Sequence, residues 1–265
     1  FIFKREDGKK VLEPKSQQME FMQKVATDFS FIIRQFSSPK RIVFLLDSKS
    51  WRKDVKIVEN EGYKSDRKYN DDIDWTAFYD LMQEFADILS DKGIIFSKLD
   101  RSEGDDLAYL WSNEFFKMSE NCIVITGDHD LLQTAKKGND ACVVVYNPNS
   151  RSRKITGELG LKDMLDNTSS TVDLFNISGT ITSKFDKIKN IISTNDYEEV
   201  EVYKFLINKV ILGDSGDSVP GIFRWTTQDK HGKPKINLQD HIDRKTIRFM
   251  GSGSAYNYIA MKEAI

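Results

Sequence analysis

Cysteine and histidine are scarce: two and three in 265 residues. Cys122 and Cys142 form no Cys-x-x-Cys spacing, and His129, His231 and His241 form no His-x3-His or Cys-x-His pattern, so zinc chemistry is not expected. Both cysteines stand in apolar, strand-like runs, and two buried free thiols in a reducing compartment are expected. No apolar run reaches the roughly 18 residues that a membrane span needs, and no signal-peptide pattern opens the chain. The expectation is a protein with no membrane partner. The first residue is Phe1 rather than Met, and an N-terminal piece is expected to be absent. Charge of one sign is lacking too, with 39 Lys+Arg against 41 Asp+Glu. Charged residues make up 30% and hydrophobic ones 39%, ordinary for a globular chain long enough for one large domain or two smaller ones.

What is present is a repeated association of apolar runs with acids. Arg41–Leu46 is followed at once by Asp47; Gly93–Phe96 is followed by Glu103-Gly104-Asp105-Asp106; Cys122–Thr126 is followed by Gly127-Asp128-His129-Asp130. Continuous apolar runs suit strands buried on both faces of a parallel sheet, and the segments between them have helical periodicity. The fold class expected is therefore α/β, a mostly parallel sheet flanked by helices. In such sheets ligands bind beyond the carboxyl ends of the strands. Asp47, Glu103, Asp105, Asp106, Asp128 and Asp130, joined by Asp214 and Asp217, would crowd that edge. Carboxylates so close need a cation, and an all-oxygen site suits Mg²⁺, with Mn²⁺ as a substitute. Of the 41 acidic residues these are eight; the other 33 face 39 basic ones, leaving a mildly basic surface that permits a polyanionic partner.

Along the chain, Met19, Met22, Val25 or Ala26, Phe29, Ile32, Ile33 and Phe36 recur at helical spacing and are read as core. Phe1-Ile2-Phe3 reads equally as a strand stub or a helix end. Residues 48–74 are very polar and read either as a solvated loop or as a phosphate-facing segment. In the second reading Arg52, Lys64 and Arg67 face the acids across a phosphate, with Trp51 or Tyr63 stacking on a base. Asp74 is a candidate N-cap, Trp75, Phe78, Leu81, Met82, Phe85, Ile88 and Leu89 line one helix face, and Gly93 closes the helix. A helix from Glu103 to about Met118 turns Leu107, Leu110 and Phe115 inward. Glu103 and Asp106 share a face in its first turn, where capping and metal ligation are both available roles. Ala141–Tyr146 is a fourth strand, with a hairpin through Asn147-Pro148-Asn149-Ser150 to Ile155. Beyond Gly160 strand signals stop, and helical patterns appear at Leu161–Leu165, Phe185–Ile192, Glu199–Leu212 and Leu238–Met250. Two domains are expected, 1–160 holding the sheet and 161–265 helical. The glycines and hydroxyls of Gly213–Ile222 leave backbone groups open to a phosphate or an ion.

These residues resemble the flap endonuclease and 5′→3′ exonuclease superfamily, whose sheet domain is PIN-like, and within it the T-even phage ribonuclease H type. Tyr63-Lys64-Ser65-Asp66-Arg67 is similar to the family's Tyr-Lys-x-x-Arg element, and Glu103-Gly104-Asp105-Asp106 to its Glu-Ala-Asp-Asp block with Gly for Ala. Asp128-His129-Asp130 matches the second-metal pair. Gly213-Asp214-Ser215-Gly216-Asp217-Ser218-Val219-Pro220-Gly221 matches the signature of the helix-three-turn-helix duplex binder. The resemblance implies a 5′ nuclease that hydrolyses phosphodiesters with two Mg²⁺ ions in replication or repair. Asp47, Glu103 and Asp105 would serve one ion, and Asp128, Asp130 and Asp217, with Asp214 or Asp106 through water, the other. Lys64 and Arg67 would act on the scissile phosphate, and Arg52, Tyr63, Gly213, Ser215, Gly216, Ser218 and Gly221 would bind nucleic acid. Implied partners are branched or nicked duplex DNA and RNA/DNA hybrid with a 5′ end, with a sliding clamp or single-strand binding protein as a candidate. The implied location is the cytoplasm of a bacterium or a phage-infected host. Two departures stand out: nothing before Asp47 matches the family's first-strand aspartate, so the first strand is expected to be missing, and a basic segment over 224–240 replaces the usual residues after Pro220-Gly221. Two rivals are a non-catalytic, structure-selective DNA-binding protein on the same fold and an acidic α/β phosphatase.

Overall fold

The computed structural model describes residues 3–4, 10–11, 15–36, 39–54, 56–58, 61–62, 64, 75–149, 153–167, 185–214 and 219–220. Asp74 and the Leu238–Met250 helix lie outside them. By its contacts the chain divides into two units, 1–52 with 68–202 and 53–67 with 203–265. The first unit alternates strands and helices as expected. Helix α1 (Lys15–Arg34) leads to β1 (Val43–Leu46), α2 (Trp75–Ser90), β2 (Ile95–Lys98), α3 (Gly104–Lys117) and β3 (Cys122–Ile125). A 3-10 helix over His129–Thr134 then precedes the short β4 (Lys136–Lys137), β5 (Cys142–Tyr146) and β6 (Ile155–Glu158). Next come α4 (Leu161–Asn167), α5 (Asp186–Thr194) and β7 (Tyr197–Val200). Phe3–Lys4 pairs antiparallel with Lys10–Val11, so the chain's first apolar residues include a strand.

The fold is α/β with mainly parallel neighbours. β1 runs parallel to β2, β3 to β5, and β6 to β7, while the β5–β6 hairpin through residues 147–149 and the β4–β5 pair are antiparallel. Strands β1 to β7 form two sheets, β1–β2 and the five-stranded set β7-β6-β5-β3 with β4 beside β5. Helix α3 touches strands of both. The unbroken apolar run of β5 has a plain cause, since neither face meets water. Cys142, Val144 and Tyr146 join Phe36, Ile155, Leu161, Leu165, Phe185 and Ile188 in one core, and Val143 and Val145 join Ala108, Val124 and Leu131 in another. Each fully buried aliphatic side chain contributes about 1.5–3 kcal/mol. Aromatic contacts carry α1 onto the other sheet, with the Phe29 ring tilted against Phe44 at 4.7 Å and Phe44 stacked on Phe96 at 5.2 Å.

Several expectations need correcting. Strands do not end at Gly160, because β7 extends the sheet. Its Glu198 and Glu199 hid it; in the fold Glu198 pairs with Lys154 and the Lys162 N–H donates to Glu199 Oε1 at 3.0 Å, tying β7 to the start of α4. Met19 and Leu110, read as inward, are 64% and 50% exposed, and Ile88 is also exposed. On α3 the buried positions are Leu107, Ala108 and Ser112. Gly93 takes φ 81 after α2, the left-handed turn expected of it.

Tyr197 offers a test of this packing. Its hydroxyl is buried with no hydrogen-bond partner among the described residues, and a Cβ on Gly157 would lie 2.6 Å from it. Burial, then the charge of Glu199, pushes the phenol's pKa up. An unmatched buried hydroxyl costs free energy, so Tyr197→Phe is expected to leave stability unchanged or raise it by about 1 kcal/mol in urea unfolding.

The second unit holds most of α6 (Val202–Leu212) and two antiparallel strand pairs. Lys56–Val58 pairs with Glu61–Gly62 across a register shift, so the polar 48–74 stretch is not all loop. Gly213–Asp214 pairs with Val219–Pro220 directly after α6.

Candidate metal and nucleic-acid site

Asp47, Glu103 and Asp128 lie in the segments that follow β1, β2 and β3, and backbone hydrogen bonds explain how distant segments reach α3. After β1 the chain runs beside the segment that follows β2. Ser48 N–H donates to the Ser102 carbonyl and Trp51 N–H to the Arg101 carbonyl, each at 2.9 Å, and Arg101 N–H donates to Ser48 Oγ at 3.1 Å. Arg101 takes φ 62 to make this contact possible, a left-handed backbone unusual for a residue with a side chain. The zipped loops deliver Asp47 to the start of α3, where Gly104 N–H donates to Asp47 Oδ1 at 2.6 Å. An ionised acceptor facing a helix N-terminus is a strong arrangement. Gly104 suits the spot, because a Cβ there would sit 3.1 Å from that same oxygen.

Glu103 is the N-cap of α3, and its N–H donates to Asp106 Oδ2 at 3.0 Å, the return half of a capping box. The capping role is thus present alongside any other. Both carboxylates also hold Arg52. Its Nη1 donates to Asp106 Oδ2 at 2.9 Å and to Glu103 Oε2 at 3.2 Å, and its Nη2 to Asp106 Oδ1 at 2.5 Å. The guanidinium lies 5.0 Å from the centre of the Trp51 ring. Arg52, expected to face a phosphate, therefore faces carboxylates. Asp105, on the same turn, is exposed.

After β3, Thr126 and Asp128 shape the next loop. Asp128 N–H donates to Thr126 Oγ1 at 2.9 Å, and Asp130 N–H to Asp128 Oδ1 at 2.8 Å. Asp128 is thereby the cap of a 3-10 helix over His129–Thr134. Asp128 is exposed and Asp130 half-buried.

Asp47, Glu103 and Asp106 are gathered around the first turn of α3, while Asp128 and Asp130 form a second pair beyond β3. Among the described residues no three His, Cys, Asp or Glu side chains converge tightly enough to hold an ion. The donors available are carboxylate oxygens, which suit hard divalent ions, and a cationic group already rests on Glu103 and Asp106. Their oxygens are of the type that Mg²⁺ or Mn²⁺ takes, but as placed no three of them meet around one point among the described residues.

Lys64 belongs to the second unit, half-buried with φ 58. Asp214 is placed by its backbone in the short pair with Val219. Tyr63, Arg67, Ser215, Gly216, Asp217, Ser218 and Gly221 lie outside the described residues. Sequence reading missed the two serines that shape the loop: Ser48 as acceptor for Arg101, and Ser50, 2% exposed, whose Oγ accepts from Arg52 N–H at 3.2 Å. The signal was small hydroxyl residues directly after a strand-ending aspartate.

Comparison with known proteins bears on the fold. The crystal structure of the bacteriophage T5 D15 protein, co-crystallized with metal ions, is similar over 89% of this chain and 76% of its own, with 14% identity and a TM-score of 0.50. A mutant of the T5 5′-exonuclease matches 89% of this chain and 74% of its own at 14% identity, with a TM-score of 0.48. The T5 D15 flap endonuclease in a pseudo-enzyme-product complex with DNA and metal ions matches 92% and 76% at 15% identity, with a TM-score of 0.46. At 14% identity the first of these similarities shows the fold alone. No family model matches the chain. A 55-residue stretch, 20% of this chain, is 46% identical to 3-oxoacyl-(acyl-carrier-protein) synthase 1 of Haemophilus influenzae; it spans 14% of that protein's length.

Proposed function

We propose that this chain is a divalent-metal-dependent 5′ nuclease, a 5′→3′ exonuclease or flap endonuclease that removes RNA primers or 5′ flaps during replication or repair, nearest in kind to the T-even phage ribonuclease H type. One observation carries the reading: on a fold shared with the T5 D15 protein, acids follow the carboxyl ends of β1, β2 and β3, and the first two sets meet at the N-terminus of α3. Ligands of parallel α/β sheets bind at that edge. Mg²⁺, when bound, would lower the pKa of an attacking water and neutralise charge on the phosphate. Asp47, Glu103 and Asp105 would hold one ion, and Asp128, Asp130 and Asp217, with Asp214 or Asp106 through water, another. Gly104 N–H orients Asp47, and Asp130 N–H orients Asp128, so each acid is held by backbone before any ligand arrives. Lys64 and Arg67 would steady the phosphate, and the Gly213–Gly221 segment would hold duplex backbone through backbone N–H groups.

The test is cleavage of a labelled 5′-flap duplex and of an RNA primer on DNA, each with Mg²⁺ and with EDTA. Metal-dependent release of short 5′ products is expected. Duplex binding without any product in Mg²⁺ would instead favour the non-catalytic DNA-binding protein.

A further inference from the structure

The two loops that bring Asp47 to α3 also present cations. Leu46 and Lys98 are register partners at the ends of β1 and β2. Beyond them the segments stay joined, with Ser48 N–H on the Ser102 carbonyl, Trp51 N–H on the Arg101 carbonyl and Arg101 N–H on Ser48 Oγ. Lys49, Lys98 and Arg101 are exposed on this joined pair. So are Trp51 and Leu99, at 46% and 52%, and the Trp51 ring keeps that exposure with the Arg52 guanidinium 5.0 Å from its centre. Acids share the edge, and several are already matched: Arg52 holds Glu103 and Asp106, and Gly104 N–H holds Asp47. Asp100 and Asp105 are exposed nearby in sequence. Cations interleaved with a part-exposed indole suit a single nucleic-acid strand, because the cations take its phosphates and the ring takes an unstacked base.

Arg101 is the member of this group whose backbone carries a cost. Its φ of 62 is one that glycine adopts freely and that a side chain makes unfavourable. The hydrogen bonds that fasten this turn to Ser48 and Trp51 use only the Arg101 backbone, and glycine would supply the same N–H and carbonyl. Closing the turn therefore does not call for arginine. Strain of this kind collects where a side chain must be held in a set place, and here the place is the sheet edge at which ligands of parallel α/β folds bind. We propose that Arg101, with Lys98 and Lys49, grips phosphates of the single-stranded part of a nucleic-acid substrate while Trp51 stacks on one of its bases. The strained turn then serves to hold the Arg101 guanidinium at that edge. This rests on the nuclease reading given above and extends it to the strand that the site would receive.

The experiment measures, in EDTA and across a salt series, the fluorescence anisotropy of a labelled duplex carrying a thymidine 5′ flap and of the same duplex without the flap. Urea unfolding of each variant runs alongside. Arg101→Gly is expected to bind the flapped duplex about tenfold more weakly, with a log–log salt dependence shallower by about 0.7, the share of one phosphate on a single strand. Its affinity for the flapless duplex should not change, and its urea midpoint should hold or rise as the strain is relieved. Arg101→Lys keeps the charge and should regain most of the affinity and the full slope. Trp51→Leu should weaken flap binding without altering the slope. Ser119→Gly is the control: it relieves a φ of 57 just past the C-terminus of α3, and should raise the midpoint while leaving both affinities unchanged. Equal flap affinity and slope in the unaltered chain and Arg101→Gly would overturn the inference and leave the nuclease reading standing. So would weaker binding with an unchanged slope and a lowered midpoint, since Arg101 would then hold the loop rather than the strand. An equal loss on both duplexes would overturn it too, by placing the contact on paired nucleic acid. If the unaltered chain binds neither duplex, the nuclease reading itself fails and takes this inference with it.

Discussion

Asp47→Asn is expected to lose cleavage of a 5′-flap duplex by about a hundredfold or more, the scale on which one preorganised electrostatic group matters, with little loss of stability. Asp47→Ala is expected to lose both. The two variants separate because Asp47 does two jobs with one side chain. Its Oδ1 accepts from Gly104 N–H at 2.6 Å and so ties the end of β1 to the first turn of α3. An amide oxygen can still accept that bond, whereas a methyl group leaves the N–H without its partner. A hydrogen bond between neutral groups contributes roughly 0.5–1.5 kcal/mol, which sets the expected difference between the Asn and Ala variants in urea unfolding. Charge, by contrast, is removed equally in both, and a hard cation prefers an ionised oxygen. If Asp47→Asn cleaved at the normal rate, Asp47 would be a structural strap and nothing more.

Alkaline pH should unfold this protein, with a sign that follows from its two thiols. Burial pushes Cys122 from an ordinary 9.0 up to about 12, and burial together with the neighbouring Cys122 does the same to Cys142. A thiol that ionises late in the folded state and early in the unfolded one favours folding only while protonated in both. Its stabilising share is complete below pH 9 and drains away as pH climbs to about 12. At about 1.4 kcal/mol per pH unit, each thiol removes on the order of 4 kcal/mol across that window, a large part of a typical domain's stability. Urea midpoints measured from neutral pH upward should therefore fall steeply above pH 9. Replacing both cysteines with alanine should lower stability at neutral pH through lost packing yet flatten the alkaline slope. A slope unchanged by that double replacement would mean that other groups govern it.

How much of this could be read beforehand depends on what each residue meets. β5 was plain because all five residues are apolar and its two faces fill two separate cores. β7 was opaque because Tyr197-Glu198-Glu199-Val200 is polar on its own; only Lys154 and the start of α4 make those glutamates acceptable inside a sheet. Helical spacing told which side of a helix was apolar but not how deep that side would sit. Met19 and Leu110 have the right period and still meet solvent, while Ala108, too small to draw notice, is buried. At the site, apolar runs ending in acids were legible, and so was the pairing of Glu103 with Asp106 by helical register. The partner of that pair was not. A guanidinium binds carboxylate and phosphate with the same fork, so sequence could assign Arg52 to either anion, and only the zipping of the segments after β1 and β2 decided for carboxylate.

The middle of β5 has a bearing on how the molecule opens. Val143 and Val145 have strand partners on both edges, Val144 between them pairs with Ile123, and the three side chains are divided between both cores, none more than 3% exposed. No local fluctuation can free their amides without parting two layers of packing at once. In deuterated solvent these amide protons should be the last to exchange, at a rate set by whole-unit unfolding, while α3's first turn exchanges sooner. The ribbon at the centre thus serves as the clock against which any looser motion near the acids can be timed.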